Sequence, residues 1–447
     1  MPRPRNIILI VADSLRYDAV NAGPTGLRYT GAAARTFTAA RSAGCWTLPA
    51  TASMFTGLLP HEHGATAQTR GLRPDVPTLA ERLGAAGYRT AQITANIATT
   101  DIFGLHRGFE RIERIWTQVT PRHSVADQIL VLAGKPRLRK KLFSKDFIMG
   151  RMASDLSMGR VWLQRTSTDV FDASRRVLAE NQARGESSFL FLNLMETHFP
   201  YHVGPVFELL SRSPWGKLRE LYSLFHLANQ TWLTTGRQPI APDMLDRLRA
   251  RQRRGWELLA PELDAFIEEL HRDTGNLVIF CSDHGENFGD QGWLYHFSNV
   301  TDAGNRVPLY WLDHDGAPAA QVDTPVSGRD LYTSLLRAAG LPDGVPVLTE
   351  CPELSLPVWA SFWYNNQGRT LPRFRHNQLA FIEGDTRYRL REGRWAQAAP
   401  QTVGPEPDFE DLPPGADPIE EAVREPSRAA ALRQVVRGFE AFGQAIS

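Results

Sequence analysis

The chain has 447 residues, 42% of them hydrophobic and 10% aromatic, which excludes a disordered or fibrous protein and predicts a large domain with a smaller appendage. Lys and Arg number 50 against 49 Asp and Glu, a formal net charge of +1, so the molecule as a whole is not built to grip a polyanion. The cysteines, Cys45, Cys281 and Cys351, are odd in number and unevenly spaced; they offer no disulfide framework and point to a reducing, cytoplasmic setting. The first apolar run, from Asn6, is too short for a signal-peptide core or a membrane span, and no later stretch approaches one, so a soluble protein is expected.

In chain order, the run 7–11 predicts a buried strand. Residues 77–87 predict a helix that leads into a second strand at 88–94. Further apolar runs at 189–194, 277–281 and 307–312 read as strands of a parallel sheet. Between them lies a helix over 256–270, in which Leu259, Leu263, Phe266, Ile267 and Leu270 recur at helical spacing. Strands alternating with helices predict an α/β fold with a mostly parallel central sheet flanked by helices. After about residue 345 the texture changes. Residues 379–395 predict antiparallel hairpins that turn at 384–385 and 392–393. A Pro- and acid-rich loop follows at 405–418, then a terminal helix over 426–441. The expected division is a main domain over 1–345, divergent near 115–185 and 203–250, and a small C-terminal α+β subdomain over 346–447.

Ligands of open α/β sheets bind beyond the carboxyl ends of the strands. Polar residues collect there: Asp13-Ser14 after the first run, Asn96 after 88–94, Glu196-Thr197-His198 after 189–194, and Ser282-Asp283-His284-Gly285-Glu286 after 277–281. Mixed Asp and His ligands suit Zn or Mn, whereas oxygen-only sets suit Mg or Ca. In 45–57, Pro49 sits where a helix begins and Gly57 where one ends, which places Thr47 at a helix N-terminus. Its free N–H groups suit a tetrahedral anion, and a metal there would make the hydroxyl a nucleophile. Taken alone, the segment reads as an ordinary helix cap.

Together these pieces resemble the sulfatase-like branch of the alkaline-phosphatase superfamily. The opening Asn6 to Asp18, the segment Thr47 to Gly57 with Pro60-His-Glu-His-Gly64, the helix and strand from Thr78 to Thr90, Glu196-Thr-His-Phe-Pro-Tyr201 and Ser282-Asp-His-Gly-Glu286 occur in the family's order. The last is the most specific. The resemblance implies an alkaline-phosphatase-like fold, with the C-terminal hairpins as the family's small second domain.

The departures bear on chemistry. Sulfatases carry a Cys or Ser, oxidised to formylglycine, in a Cys-x-Pro-Ser-Arg motif; here Thr47, Ala50 and Thr51 stand in that register. Oxidised threonine is a ketone, so the hydrated-aldehyde route is closed. Cys45 is two residues out of register and reads as a packed thiol. Ser14 replaces the second Asp of the first strand end, and His296 stands where sulfatases have a Lys. A Thr nucleophile with a His at that spacing resembles phosphoethanolamine transferases and related phosphohydrolases.

The resemblance therefore implies Thr47 as nucleophile, with Asp13, Thr47, Asp283 and His284 on one divalent metal. His198 and His296 would hold a second ion or contact phosphoryl oxygens, Glu196 would join them, and Asn96 would donate to the substrate. Zn or Mn is expected, with Mg or Ca as alternatives. The expected activity is hydrolysis of a small phosphate monoester or diester through a phospho-threonine. A sulfatase, a phosphotransferase to an alcohol and a non-catalytic family member are the alternatives. Two basic runs, Lys135 to Lys145 and Arg247 to Arg254, read as solvated helix faces, with a rim for anionic substrates or peripheral membrane contact as the other reading. No motif supports nucleic-acid binding.

Overall fold

The computed structural model describes residues 4–115 (except 22–25, 67, 68 and 70), 166–199, 201, and 242–341 (except 297–299). Beyond these it describes 354–355, 378–383, 386–391, 394–398, 410–411, 417–423 and 426–446. The basic run Lys135 to Lys145, Cys351, most of the 405–418 loop and both predicted hairpin turns lie outside these residues.

Eight strands make the central sheet: β1 (Asn6–Ala12), β2 (Arg35–Phe37), β3 (Tyr88–Thr94), β4 (Arg111–Arg114), β5 (Ser187–Leu194), β6 (Asn276–Cys281), β7 (Leu309–Leu312) and β8 (Ala320–Val322). Their spatial order is β8-β2-β7-β6-β1-β5-β3-β4. β1 runs through the middle, parallel to β5 from Asn6↔Ser188 to Ala12↔Leu194 and to β6 from Asn6↔Asn276 to Val11↔Cys281. Every residue of β1 is buried, as a strand covered on both faces requires. β7 runs antiparallel to β6 and β2, which corrects the parallel reading of 307–312. An apolar run buried on both faces looks the same in either direction.

Alternate side chains of β1 feed two cores. Ile7, Leu9 and Val11 pack on the face covered by α1 (Thr47–Thr56), α2 (Leu79–Ala85) and a helix at Asp330–Ala338. Ile8, Ile10 and Ala12 pack on the face covered by α3 (Ser167–Ala183) and α4 (Pro242–Arg272). α2 is shorter than predicted because Thr78 caps it, accepting from the Glu81 N–H while Glu81 returns a bond to the Thr78 N–H. α4 contains the predicted 256–270 helix but starts 14 residues earlier and takes in the second basic run. There Arg247 pairs with Asp243, and Arg253 and Arg254 with Glu257, on side chains about half exposed. That is a solvated face with helical-spacing ion pairs.

The C-terminal sheet is antiparallel, with Leu354–Ser355, Gln378–Glu383, Thr386–Arg391, Arg394–Ala398 and Glu410–Asp411 in that order. Leu379, Phe381, Leu390 and Trp395 pack with Val436 and Phe439 of the final helix, Pro426–Ile446. Ala43 and Leu59, from either side of α1, join the same cluster and seat the small sheet on the main body. Among the described residues no helix is long and apolar enough to cross a membrane.

Candidate active site

The parallel run of β1, β3, β5 and β6 brings their carboxyl ends to one edge, and Asp13, Asn96, His198, Asp283 and His284 follow those ends directly. α1 supplies Thr47. Trp46 is the extended cap residue, and Gly57, at φ 71°, closes the helix. Thr47 is thus the first helical residue, and its hydroxyl does not cap. It lies 3.4 Å from Asp13 Oδ2 and 3.4 Å from His284 Nε2.

Asp13, Asp283 and His284 each present a ligand atom within 4.8 Å of the others, and all three are buried. His284 Nδ1 donates to the Gly285 carbonyl at 2.8 Å, which turns Nε2 toward Asp283 Oδ2 (3.4 Å) and Asp13 Oδ1 (3.6 Å). Asp283 Oδ1 accepts from the backbone N–H groups of Ser14 and His284, but its buried Oδ2 has no hydrogen-bond partner. Burial and the neighbouring Asp13 charge push the Asp283 carboxyl well above its ordinary range. Burial pushes Asp13 up as well, yet the imidazoles of His198 and His284 and the Asn96 amide hold it below the usual range. Two buried carboxylates, one with an orphaned oxygen, and an imidazole lone pair aimed between them fit a divalent cation. Asp13, Asp283 and His284 would hold it.

Asn96 donates from Nδ2 to Asp13 Oδ2 at 2.7 Å and lies 3.5 Å from the Thr47 hydroxyl; its Oδ1 caps the following turn at Ala98 N. His198 Nδ1 donates to the Phe199 carbonyl at 2.7 Å, and Nε2 faces Asp13 Oδ1 at 3.9 Å. His296 follows a short hairpin of Asn287–Phe288 and Leu294–Tyr295. Its Nδ1 meets Glu286 Oε1 at 3.0 Å, and its ring stands 4.7 Å from that of His284 and 5.1 Å from that of His198, between centroids. Burial pushes His296 well below the ordinary imidazole range and Glu286 up to about 7. The predicted residues therefore converge. Among the described residues, however, the three-ligand distance is met by Asp13, Asp283 and His284 alone, with His198 and His296 beside that set.

Glu196 lies outside that three-ligand set, with its buried Oε2 left without a hydrogen-bond partner. Its Oε1 accepts from the N–H groups of Thr166 and Ser167 at 2.8 Å each, where the chain enters α3, so it serves the helix start. Glu196→Ala is expected to cost about 1–3 kcal/mol of stability while metal affinity stays unchanged, checked by denaturation and metal titration of the same variant.

Other contributors were given no role from the sequence. Asn193 donates to Asp13 Oδ2 at 3.3 Å from within β5, and a polar residue in an apolar strand was the available signal. Ser14, at φ 61°, donates its hydroxyl to Asp13 Oδ1 at 3.1 Å. Gln252 ties the carbonyls of Ser14 and Thr197 together from α4. Tyr201 donates to Glu286 Oε2 at 3.1 Å. Behind α1, His63 is fully buried; Nδ1 accepts from Ala65 N, which leaves Nε2–H to donate to Ser53 Oγ at 3.0 Å. Burial holds this imidazole down at about 3 against 6.5 in the free side chain. The unfolded chain thus binds a proton that folded His63 refuses, so stability is full above pH 6.5 and falls toward pH 3 by up to about 1.4 kcal/mol per pH unit. Denaturation across that window is expected to show a flatter slope for His63→Gln.

Residues 5–341 match the Sulfatase family model, and the chain belongs to that family. Arylsulfatase K of Xenopus laevis is 24% identical over 334 residues, covering 69% of this chain and 57% of that protein. Human Arylsulfatase K is 23% identical, covering 66% and 54%. The chain thus spans little more than half the length of these relatives. Among solved structures, a phosphonate monoester hydrolase of Agrobacterium radiobacter superposes with a TM-score of 0.61 at 15% identity, covering 99% of this chain and 96% of the other. One from Silicibacter pomeroyi gives 0.62 at 18%, covering 97% and 95%. The lipoteichoic acid synthase LtaP of Listeria monocytogenes gives 0.54 at 13%, covering 98% and 92%. The family match, together with the fold shared with these structures, places the chain in the sulfatase-like alkaline-phosphatase superfamily. Family members use a divalent metal, in keeping with the Asp and His set.

Proposed function

We propose that the chain hydrolyses phosphate esters through a covalent phospho-threonine formed on Thr47. The observation that carries this reading is the Thr47 hydroxyl, 3.4 Å from both Asp13 and His284 at the start of α1. A secondary alcohol cannot become the aldehyde that sulfatases use, but it is a competent nucleophile for phosphorus once its proton is removed. A bound divalent ion would supply Lewis-acid stabilisation of charge on the reacting oxygens.

The chain's own residues provide the rest. Asp13 accepts the hydroxyl proton, and the Thr47 oxygen attacks phosphorus as the bond to the ester oxygen breaks. The His198 ring, carried as imidazolium with Nδ1–H on the Phe199 carbonyl, gives that leaving oxygen its Nε2 proton. Asn96 and the first-turn N–H groups of α1 receive the phosphoryl oxygens. Water then attacks phosphorus and gives a proton to the His198 imidazole, while the Thr47 oxygen leaves and recovers its proton from Asp13, which releases phosphate from a monoester or a phosphomonoester from a diester. Phosphonate monoester hydrolysis, for which the Agrobacterium and Silicibacter neighbours are named, is of this chemical kind.

The arylsulfatase relatives favour a second reading, hydrolysis of aryl sulfate esters. Parallel assays of Zn- and Mn-loaded protein on aryl phosphate, phosphate diester, phosphonate monoester and aryl sulfate separate the two. Turnover of the phosphorus esters above the sulfate supports phosphohydrolysis. The reverse order overturns it.

A further inference from the structure

We propose that Arg387 and Arg389 of the C-terminal sheet are positioning residues for His296. The two lie two apart on the strand Thr386–Arg391, so their side chains share a face. They are 3% and 0% exposed. Arg389 Nη2 donates to the Gln291 side-chain carbonyl at 2.5 Å. Arg387 Nη1 donates to the Val300 backbone carbonyl at 2.5 Å, and its Nη2 lies 3.7 Å from Asp302 Oδ1. The grip therefore falls on both sides of His296, at Gln291 before it and at Val300 to Asp302 after it.

Asn287 also ties the two flanks of His296 to each other. Asn287 Nδ2 donates to the Tyr295 carbonyl at 2.7 Å, and the Thr301 hydroxyl donates to Asn287 Oδ1 at 2.6 Å. Gln291 sits at φ 51° and ψ 33°, a left-handed conformation that a non-glycine residue keeps only when its surroundings enforce it. Asp302 also pairs with Arg41, whose chain runs on through Ser42 to Thr47, so one carboxylate links the sheet, the His296 loop and the approach to α1. A sheet that needed only to seat on the main body would bury apolar side chains there, as Leu379 and Leu390 do on its other contacts. Two buried guanidinium groups are costly to desolvate and bond only in one geometry, so their place is to fix where the loop stands.

This inference rests on the phosphohydrolase reading, with His296, whose ring stands 4.7 Å from that of His284, contacting the phosphoryl oxygens. The test compares Arg389→Met, Arg389→Lys and Arg387→Met in metal-loaded full-length protein, alone and combined with His296→Ala. On the best phosphorus ester, Arg389→Met is expected to lower kcat at least tenfold with KM within about twofold, because the loop holds the reacting group rather than the remote substrate. Combined with His296→Ala, it is expected to add no further loss, whereas general destabilisation would add its full factor. Arg389→Lys is expected to recover part of the rate. Amide exchange is read in parallel and needs no substrate: peptides covering 286–296 are expected to lose protection in Arg389→Met while those covering 6–13 keep it. Unchanged exchange at 286–296, or full additivity with His296→Ala, overturns the proposal. A wild-type protein inert on every ester bears on the proposed reaction, and the exchange result still decides the loop.

Discussion

Thr47→Ala is expected to lower turnover of the best phosphorus ester by roughly 10⁴-fold or more, with folding and metal content unchanged. The size follows from what the substitution removes. The hydroxyl is the group that takes the phosphoryl, and it stands 3.4 Å from both Asp13 and His284. The Ser14 hydroxyl is already bonded to Asp13 Oδ1, on a residue held in left-handed backbone after β1 rather than at the start of α1. Alanine is a good helix residue, so α1 is expected to persist and the loss to lie in kcat rather than in stability. Thr47→Ser keeps the oxygen and is expected to retain most of the rate. Comparable rates for Thr47→Ala and the parent would remove threonine from the chemistry.

Asp283→Asn carries the second large effect, and it has opposite signs in the two states of the protein. Without metal, the buried Asp283 carboxyl holds its proton to higher pH than the unfolded chain, whose value is near 3.8. Its contribution to stability is therefore full at acid pH and is lost as pH rises through the elevated folded value. Asparagine keeps the oxygen that accepts from Ser14 N and His284 N and carries no charge, so the metal-free variant is expected to melt above the parent at neutral pH. Added metal reverses the order. It stabilises the parent by about 2.7 kcal/mol at a hundredfold excess over its dissociation constant. The variant has lost one of its three closely spaced ligands, and its affinity is expected to fall by more than about 100-fold, beyond the loss that outer-shell changes produce. Melting curves with and without Zn or Mn read both signs. A parent protein that no divalent ion stabilises would contradict the metal assignment.

Much of the site was legible because strand ends are readable. Asp13, Asn96, His198, Asp283 and His284 each follow an apolar run, and parallel neighbours must bring such ends to one edge. Thr47 was legible through Pro49 and Gly57, which mark the limits of α1. The supporting bonds were not. Gln252 is hidden among arginines on α4, and nothing local shows that it turns inward to the carbonyls of Ser14 and Thr197. Glu196 stands two residues before His198 in the same strand-end segment, yet its Oε1 is taken by backbone N–H groups 29 and 30 residues away. The direction of β7 was beyond reach because periodicity carries no sign, and pairing with β6 decides it. The grip of Arg387 and Arg389 joins segments about a hundred residues apart, which one sequence cannot pair.

The covalent intermediate on Thr47 is the central claim, and acid quenching followed by peptide mass spectrometry tests it most directly. Metal-loaded protein mixed with excess aryl phosphate or phosphonate ester and quenched within the first turnovers is expected to carry a phosphoryl or phosphonyl group on Thr47, absent from Thr47→Ala. Brisk turnover with Thr47 unmodified at every quench time, and the reaction undiminished in Thr47→Ala, would contradict the account.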